Sequence, residues 1–318
     1  CNLKSEMSLI RKGSCMKAMI LAAGEGTRLR PLTTVCPKAL MPVVNKPVMG
    51  RVIEFLKAHG IREIMVNAHH HYQKLVDYLQ QGDPFDIKIE IRVEKEILGT
   101  GGGIKNTRDF WDKAPFVVIN GDILTDMDLR KAYESHLKRG NLATMVLHDL
   151  PRYNKVKVDG EMNIVSIGPG THLNGALAFT GIHVMNPEVL DFIPEARSYN
   201  IIQCYRRLID LRRPVGGYVV EGHRWIDLGT IPDYLRSNFS LLPTERIAIG
   251  HECHIDPGAS LNDWAVIGRK SSIESGSVVE RSVLWNEVTV RQGVRVIDSV
   301  VTSGVVVKED LVGSVAVR

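Results

Sequence analysis

Residues 17–43 read KAMILAAGEGTRLRPLTTVCPKALMPV. The opening run, Lys17–Ala22, is short and apolar, the pattern of a strand buried on both faces of a parallel sheet. A glycine loop starts where that strand ends, and crevices at strand C-termini are where open α/β sheets take ligands. Gly24 and Gly26 allow the backbone of Ala23, Gly24, Gly26 and Thr27 to approach a nucleotide closely, and N–H groups exposed in such a loop bind anions. Arg28, Arg30 and Lys38 add the cations that a polyphosphate requires. Two common nucleotide motifs are absent. A dinucleotide fingerprint needs a third glycine where Leu29 stands, and the Walker string Gly-Lys-Ser/Thr does not occur.

Working outward, Ile61–Val66 and Pro115–Ile119 are further apolar runs. Helical patterns lie between and after them. One spans Pro47 to His59, with Val48, Val52 and Leu56 on one face and Gly60 as its stop. Another carries Tyr72, Leu75, Val76 and Leu79 at helical spacing. A third covers Leu129 to Lys138. Repeated βα units predict an α/β domain over residues 16–243, a Rossmann-like doubly wound mixed sheet.

From Ile247 the pattern becomes a six-residue beat. Ile249, Ile255, Leu261, Ile267, Ile273 and Val279 keep it; after a slip of three, Val288, Val294, Val300, Val306 and Val312 resume it. Such a beat predicts a short left-handed parallel β-helix over residues 244–318, with one aliphatic side chain per face pointing inward. Its open end coils and edges predict pairing into a homo-oligomer. Cys1–Cys15 has neither periodicity nor the apolar core of a signal peptide, and reads as a disordered tail or an extension upstream of Met16.

Composition narrows the function. The 318 residues suggest two domains. A net charge of +4 is too weak to argue for nucleic acid or an anionic membrane as partner. No apolar stretch is long enough to span a bilayer. Cys1, Cys15, Cys36, Cys204 and Cys253 are scattered and odd in number, which suits a reducing, cytoplasmic setting better than a disulfide framework or zinc site.

The string LAAGEGTRLRPLT…PKALMPV resembles the signature of the sugar-1-phosphate nucleotidyltransferases, also called NDP-sugar pyrophosphorylases. The hexad tail is similar to that of the mannose-1-phosphate guanylyltransferase branch. The resemblance implies that Arg28 contacts the leaving phosphates of an NTP and that Lys38 bridges the nucleotide and sugar phosphates. Asn120-Gly121-Asp122 follows the run PFVVI, and residues 225–230 read WIDLGT. By the same resemblance, Asp122 and Asp227 hold Mg²⁺, and Asp122 is also catalytic.

Residues 94–104, EKEILGTGGGI, resemble the base-reading segment. Gly99, Gly101 and Gly102 would bring backbone groups to the base and ribose. Glu94 would read the base; a carboxylate is acceptor-only and suits the N–H donors of guanine, although uracil and thymine also offer one ring N–H.

The sugar side departs from the pattern. Many members carry a Glu-Lys-Pro string, which is missing from NIVSIGPGTHLNG at residues 163–175. The next string, AFTGIHVMNPEVL, fits the family and puts Thr180 and Gly181, with Asn174, beside the sugar. The form without Glu-Lys-Pro resembles the branch that uridylylates N-acetylmuramic acid 1-phosphate.

The implied substrates are an NTP and a sugar 1-phosphate, with GTP and mannose 1-phosphate as the leading pair. Uridylyl or thymidylyl transfer to N-acetylmuramic acid 1-phosphate or a hexose 1-phosphate is the alternative. A non-catalytic sugar-nucleotide-binding regulatory subunit is the competing class. Trp285, inside the hexad region, is read as a coil-edge cover or an oligomer contact.

Overall fold

The computed structural model describes residues 16–81, 85–168, 175–195 and 198–318. Cys1–Cys15 and the candidate sugar residue Asn174 lie outside these. Internal contacts group the chain into two compact units. One runs to Gly24 and resumes over Val52–Trp225; the other joins Glu25–Arg51 to Ile226–Arg318. No helix among the described residues is long and apolar enough to cross a membrane.

The first unit is built on a seven-stranded sheet. Its strands are β1 (Lys17–Leu21), β2 (Glu63–Ala68), β3 (Lys88–Val93), β4 (Phe116–Asn120), β5 (Ala143–His148), β6 (Ala178–Met185) and β7 (Val215–Val219). They lie in the order β7-β5-β6-β4-β1-β2-β3. β6 runs antiparallel to both β4 and β5, and the other pairs are parallel. The apolar runs become central strands because both faces are covered: Ala18, Met19, Ile20, Val117, Val118 and Ile119 have no exposed surface. Strand order reverses between β1 and β4, which pair from Lys17↔Phe116 to Leu21↔Asn120. Their C-terminal ends therefore flank the switch-point crevice.

The expected helices form, with small boundary changes, at Val48–Ala58, Tyr72–Gln80 and Leu129–Arg139. Asp128 caps the last of these by accepting from the Arg130 N–H, and Gly140 closes it in the left-handed region. A fourth helix, Ile201–Asp210, starts at an Asn200/Gln203 capping box and buries Tyr205. The Tyr205 hydroxyl pairs with His183 Nδ1 on β6, and both residues are buried. Burial pushes the His183 imidazole down to about 3, so it is neutral in the folded protein.

In the second unit, short strands stack in parallel from Ile247 onward, the arrangement of a β-helix. Ile255 pairs with Ile273, Ile273 with Val290, and Val290 with Val307. The first of these coils takes eighteen residues and the next two take seventeen. The inward beat therefore slips by one residue where a coil shortens, not by three as the valine spacing suggested. Val290, Val296, Val301 and Val307 join the coil core, while Val306 and Val312 are 43% and 56% exposed. Gly268 sits under the next coil, where a Cβ would come within 2.4 Å of the Trp285 backbone.

The same unit anchors the base of the signature loop. Pro42–Val43 and Lys46–Pro47 pair as a hairpin whose turn residues, Val44 and Asn45, both have positive φ. The Val44 N–H donates to Asn238 Oδ1 at 2.8 Å, and Asn45 Nδ2 donates to the Ile267 carbonyl at 2.8 Å. The Tyr234 hydroxyl donates to the Pro42 carbonyl and accepts from Trp285 Nε1 at 2.9 Å. Trp285 is only 5% exposed. It is thus part of an internal chain from the coils to the signature loop, neither a coil-edge cover nor a free surface for another subunit.

Two outcomes are expected. Tyr234→Phe strands the Trp285 N–H and the Pro42 carbonyl, and should lower stability by about 1–3 kcal/mol, read as a shift in urea midpoint at unchanged slope. For His183 the folded pKa is depressed, so its contribution is full above the ordinary value of 6.5 and is lost as pH falls toward about 3. The urea midpoint should already decline between pH 6.5 and about 4.5, above the carboxylate range. His183→Gln should reduce that slope.

Candidate active site

Site residues of the first unit collect at the C-terminal ends of β1, β2, β3 and β4. The Gly121 N–H donates to the Leu21 carbonyl at 2.8 Å, which holds the turn after β4 against the end of β1. Asp122 follows directly and is half-buried at the switch point.

A buried polar chain crosses the neighbouring strand ends. The Ala22 N–H donates to Asn67 Oδ1 at 2.8 Å, and Asn67 Nδ2 donates to Glu94 Oε1 at 2.6 Å. The Leu98 N–H donates to Glu94 Oε2 at 3.1 Å. Asn67 is 2% and Glu94 3% exposed. Glu94 was expected to face a base. Instead both of its oxygens hold protein donors, as a carboxyl group under cover requires. Asn67 and Gly103 escaped the sequence reading. A Cβ on Gly103 would lie 2.7 Å from Asn67 Nδ2 and 2.8 Å from Glu94 Oε1, so glycine alone leaves room for the pair.

The glycines of the LGTGGG string also serve packing. Gly99–Lys105 is a short helix, and the N–H groups of Gly101 and Gly102 both donate to the Tyr199 carbonyl, at 2.8 and 3.1 Å. Gly99 has φ +67°, and a Cβ there would approach the same carbonyl to 2.9 Å. These two N–H groups are therefore taken by the segment at 199–201. Ala23 is buried and Gly24 is exposed.

On the sugar side, Thr180 is fully buried and its hydroxyl donates to the Val146 carbonyl at 2.9 Å. Its side chain thus serves the sheet rather than a substrate. The Thr180 carbonyl accepts from Trp225 Nε1 at 2.9 Å. Gly181, with φ +79°, packs so closely on Asn120 that a Cβ would lie 2.7 Å from its amide nitrogen.

The second unit holds the charged residues of the signature. Gly26 enters the turn Thr27–Leu29 with φ +64°, and its carbonyl accepts from the Thr33 hydroxyl at 3.0 Å. Leu29 is buried and pins the turn, which leaves Thr27 and Arg28 exposed. Lys38 opens a second turn, and its ammonium lies 3.9 Å from Asp227 Oδ1. Gly229 marks where the groups meet. A Cβ there would lie 3.2 Å from Asp227 Oδ2, 3.4 Å from Arg28 Nη1 and 3.4 Å from Asp233 Oδ2. Asp233 is already engaged, accepting from the Thr230 hydroxyl at 2.6 Å and pairing with Arg236.

Asp122 and Asp227 belong to different units. Each is a partly exposed hard oxygen donor of the kind Mg²⁺ takes, usually one or two at a time alongside phosphate oxygens. The described residues hold no cluster of three or more His, Cys, Asp or Glu that could cage a metal. The donor chemistry of each carboxylate suits Mg²⁺.

Asn67→Ala should lower stability by about 1.5–3 kcal/mol, because it removes a hydrogen bond to a buried carboxylate. Gly103→Ala should be destabilising by the same route, through the clash with that pair. Chemical denaturation measures both.

Comparison with known proteins follows this geometry. Residues 17–243 match the family model described as Nucleotidyl transferase. The chain is 30% identical to a UTP–glucose-1-phosphate uridylyltransferase of Synechocystis sp., over 90% of this chain and 87% of that protein. It is 30% identical to mannose-1-phosphate guanylyltransferase 1 of Arabidopsis thaliana, over 88% and 82%. It is 34% identical to an N-acetylmuramate alpha-1-phosphate uridylyltransferase of Neisseria meningitidis, over 68% and 94%. These relatives share one reaction class and differ in base and sugar. The chain belongs to the nucleotidyl transferase family, among relatives that are sugar-1-phosphate nucleotidyltransferases.

Proposed function

We propose that the protein transfers a nucleotidyl group from an NTP to a hexose 1-phosphate with Mg²⁺, and that UTP with glucose 1-phosphate is the first pair to test. The observation that carries the reaction is the meeting of Arg28 and Asp227 at Gly229, with the Lys38 ammonium 3.9 Å from Asp227. The sugar phosphate is already an anionic nucleophile, so no strong general base is needed. The work is alignment and charge neutralisation. Lys38 steadies the α-phosphate as charge shifts, and Arg28 receives the departing pyrophosphate. Asp122 and Asp227 would hold Mg²⁺, which supplies Lewis-acid neutralisation of the phosphate oxygens when bound.

Two observations favour uracil. Glu94, the acceptor that guanine would use, has both oxygens engaged by Asn67 and Leu98. A uracil edge, with one N–H between two carbonyls, can be matched by backbone groups alone. The Synechocystis relative covers nearly the whole chain, tail included. GTP with mannose 1-phosphate is the second reading, favoured by the Arabidopsis relative, whose match also extends over most of the chain.

The test is pyrophosphate release with Mg²⁺, crossing four NTPs with glucose, mannose, N-acetylglucosamine and N-acetylmuramic acid 1-phosphates. One productive pair, silenced by a chelator, is the expected result. Lys38→Ala and Asp227→Asn should each lower kcat by about 10²–10³, by analogy with loss of one preorganised charge partner. Silence for every pair, despite measurable NTP or NDP-sugar binding, would favour a regulatory subunit.

A further inference from the structure

Lys38 and Asp227 come from remote segments, and their charged ends lie 3.9 Å apart. Neither segment fixes that spacing by itself. Lys38–Leu40 is a single turn, closed where the Met41 N–H donates to the Lys38 carbonyl at 3.2 Å. Asp227 stands just before Thr230, whose side chain caps the helix Ile231–Leu241. An ion pair of this length with both partners partly exposed is weak, so it does not set its own geometry. The elements behind the two residues must set it.

The helix after Asp227 and the hairpin after Lys38 are fastened to each other. Tyr234 and Asn238 stand one helical turn apart and are fully buried. The Tyr234 hydroxyl donates to the Pro42 carbonyl, and Asn238 Oδ1 accepts from the Val44 N–H at 2.8 Å. Asn238 Nδ2 donates to the Tyr234 carbonyl at 2.9 Å, which fixes the direction of its amide. Arg51 Nη2 donates to the Val43 carbonyl at 2.6 Å. Pro42, Val43 and Val44 are thus each tied, and only Ala39, Leu40 and Met41 separate them from Lys38. The coils lock the arrangement from behind. Trp285 Nε1 donates to the Tyr234 hydroxyl at 2.9 Å, and Asn45 Nδ2 donates to the Ile267 carbonyl at 2.8 Å. A phenol has one proton to give, so an indole N–H on its oxygen leaves that proton aimed at Pro42.

We propose that Trp285, Tyr234 and Asn45 are positioning residues of the transfer step, through which the coils hold Lys38 at its working distance from Asp227. This rests on the transfer reaction proposed above, in which Lys38 steadies the α-phosphate. The coils then serve the rate of the reaction as well as the stability of the fold. A lysine ammonium sits on a flexible four-carbon stem, so a fixed backbone is what keeps its charge aimed. Substrate binding is shared among many groups, whereas stabilising the shifting charge depends on where this ammonium stands. Slack in the hairpin therefore acts on kcat rather than on KM. A misplacement of about 1 Å can cost about 10²-fold, and a fraction of that displacement costs about tenfold.

The test compares variants of the full chain on its productive NTP and sugar pair. Trp285→Phe keeps an aromatic ring and removes the N–H. It should lower kcat about tenfold while the KM values for the NTP and the sugar 1-phosphate stay unchanged. Hydrogen exchange in the peptide that carries Val44 should become about tenfold faster, a readout independent of turnover. Asn45→Gly accepts the positive φ of that turn and loses the bond to Ile267, and should act in the same direction if Trp285→Phe fails to fold. Ser282→Ala is the control. Ser282 is buried and hydrogen-bonds within the coils, to the Val296 carbonyl and the Ser299 N–H. Its variant should lower the melting temperature and leave kcat unchanged. Equal losses of kcat in Ser282→Ala and Trp285→Phe would overturn the proposal, because coil stability alone would then set the rate. Unchanged kcat in folded Trp285→Phe and Asn45→Gly, beside an active wild type, would overturn it while leaving the transfer reaction intact. Absence of wild-type turnover with every pair would sink the parent reaction and this inference with it.

Discussion

Asn67 is the side chain on which the loops after β1 and β3 depend. Its amide faces two ways, accepting from the Ala22 N–H where the glycine loop begins and donating to Glu94 where the EKEILGTGGG segment begins. Both partners are under cover, and an unpaired carboxylate there would carry a desolvation penalty larger than any single contact returns. One amide group therefore sets the spacing of two loops that leave different strands. Gly103 matters for the same reason, because the pair occupies the space a side chain would need. Glu94 consequently holds the loop that follows it, through the Leu98 N–H.

The second unit shows why a tail of coils accompanies the signature. The strand-rich tail and the segment Glu25–Arg51 fall in one contact unit, joined by Asn45 to the Ile267 carbonyl and by the Trp285–Tyr234–Pro42 chain. Val44 is held at a positive φ, which a β-branched residue rarely adopts, and its N–H bond to Asn238 helps to hold it there. Lys38 stands only a few residues before that hairpin. The coils are thus scaffolding for the loop that carries Arg28 and Lys38, in addition to forming a folded module with its own core of aliphatic side chains.

Much of this was legible along the chain. Continuous apolar runs announced strands covered on both faces, and helix starts and stops followed Pro, Gly and polar caps. Arg28, Lys38 and Asp227 were recognisable from their strings, and the structure brings Arg28 and Asp227 to Gly229 and sets Lys38 beside Asp227. The hexad beat identified the coils but misplaced their phase. Valines recur at two different offsets there, and spacing alone does not distinguish the inward set from its neighbours. Register between coils decides, and it shortens from eighteen to seventeen residues beyond Ile273.

The sequence by itself determined the class of fold, the place of the glycine loop and the identity of the charged groups, because periodicity and string order are local properties. Only the tertiary structure decided what each polar group faces. Whether Glu94 meets a base or Asn67, whether Thr180 meets a sugar or the Val146 carbonyl, and whether Trp285 meets solvent or Tyr234 depend on partners far away in the chain. Hydrogen bonding is directional and short-ranged, so its outcome is fixed by the packing of remote segments and leaves no periodic trace in the chain.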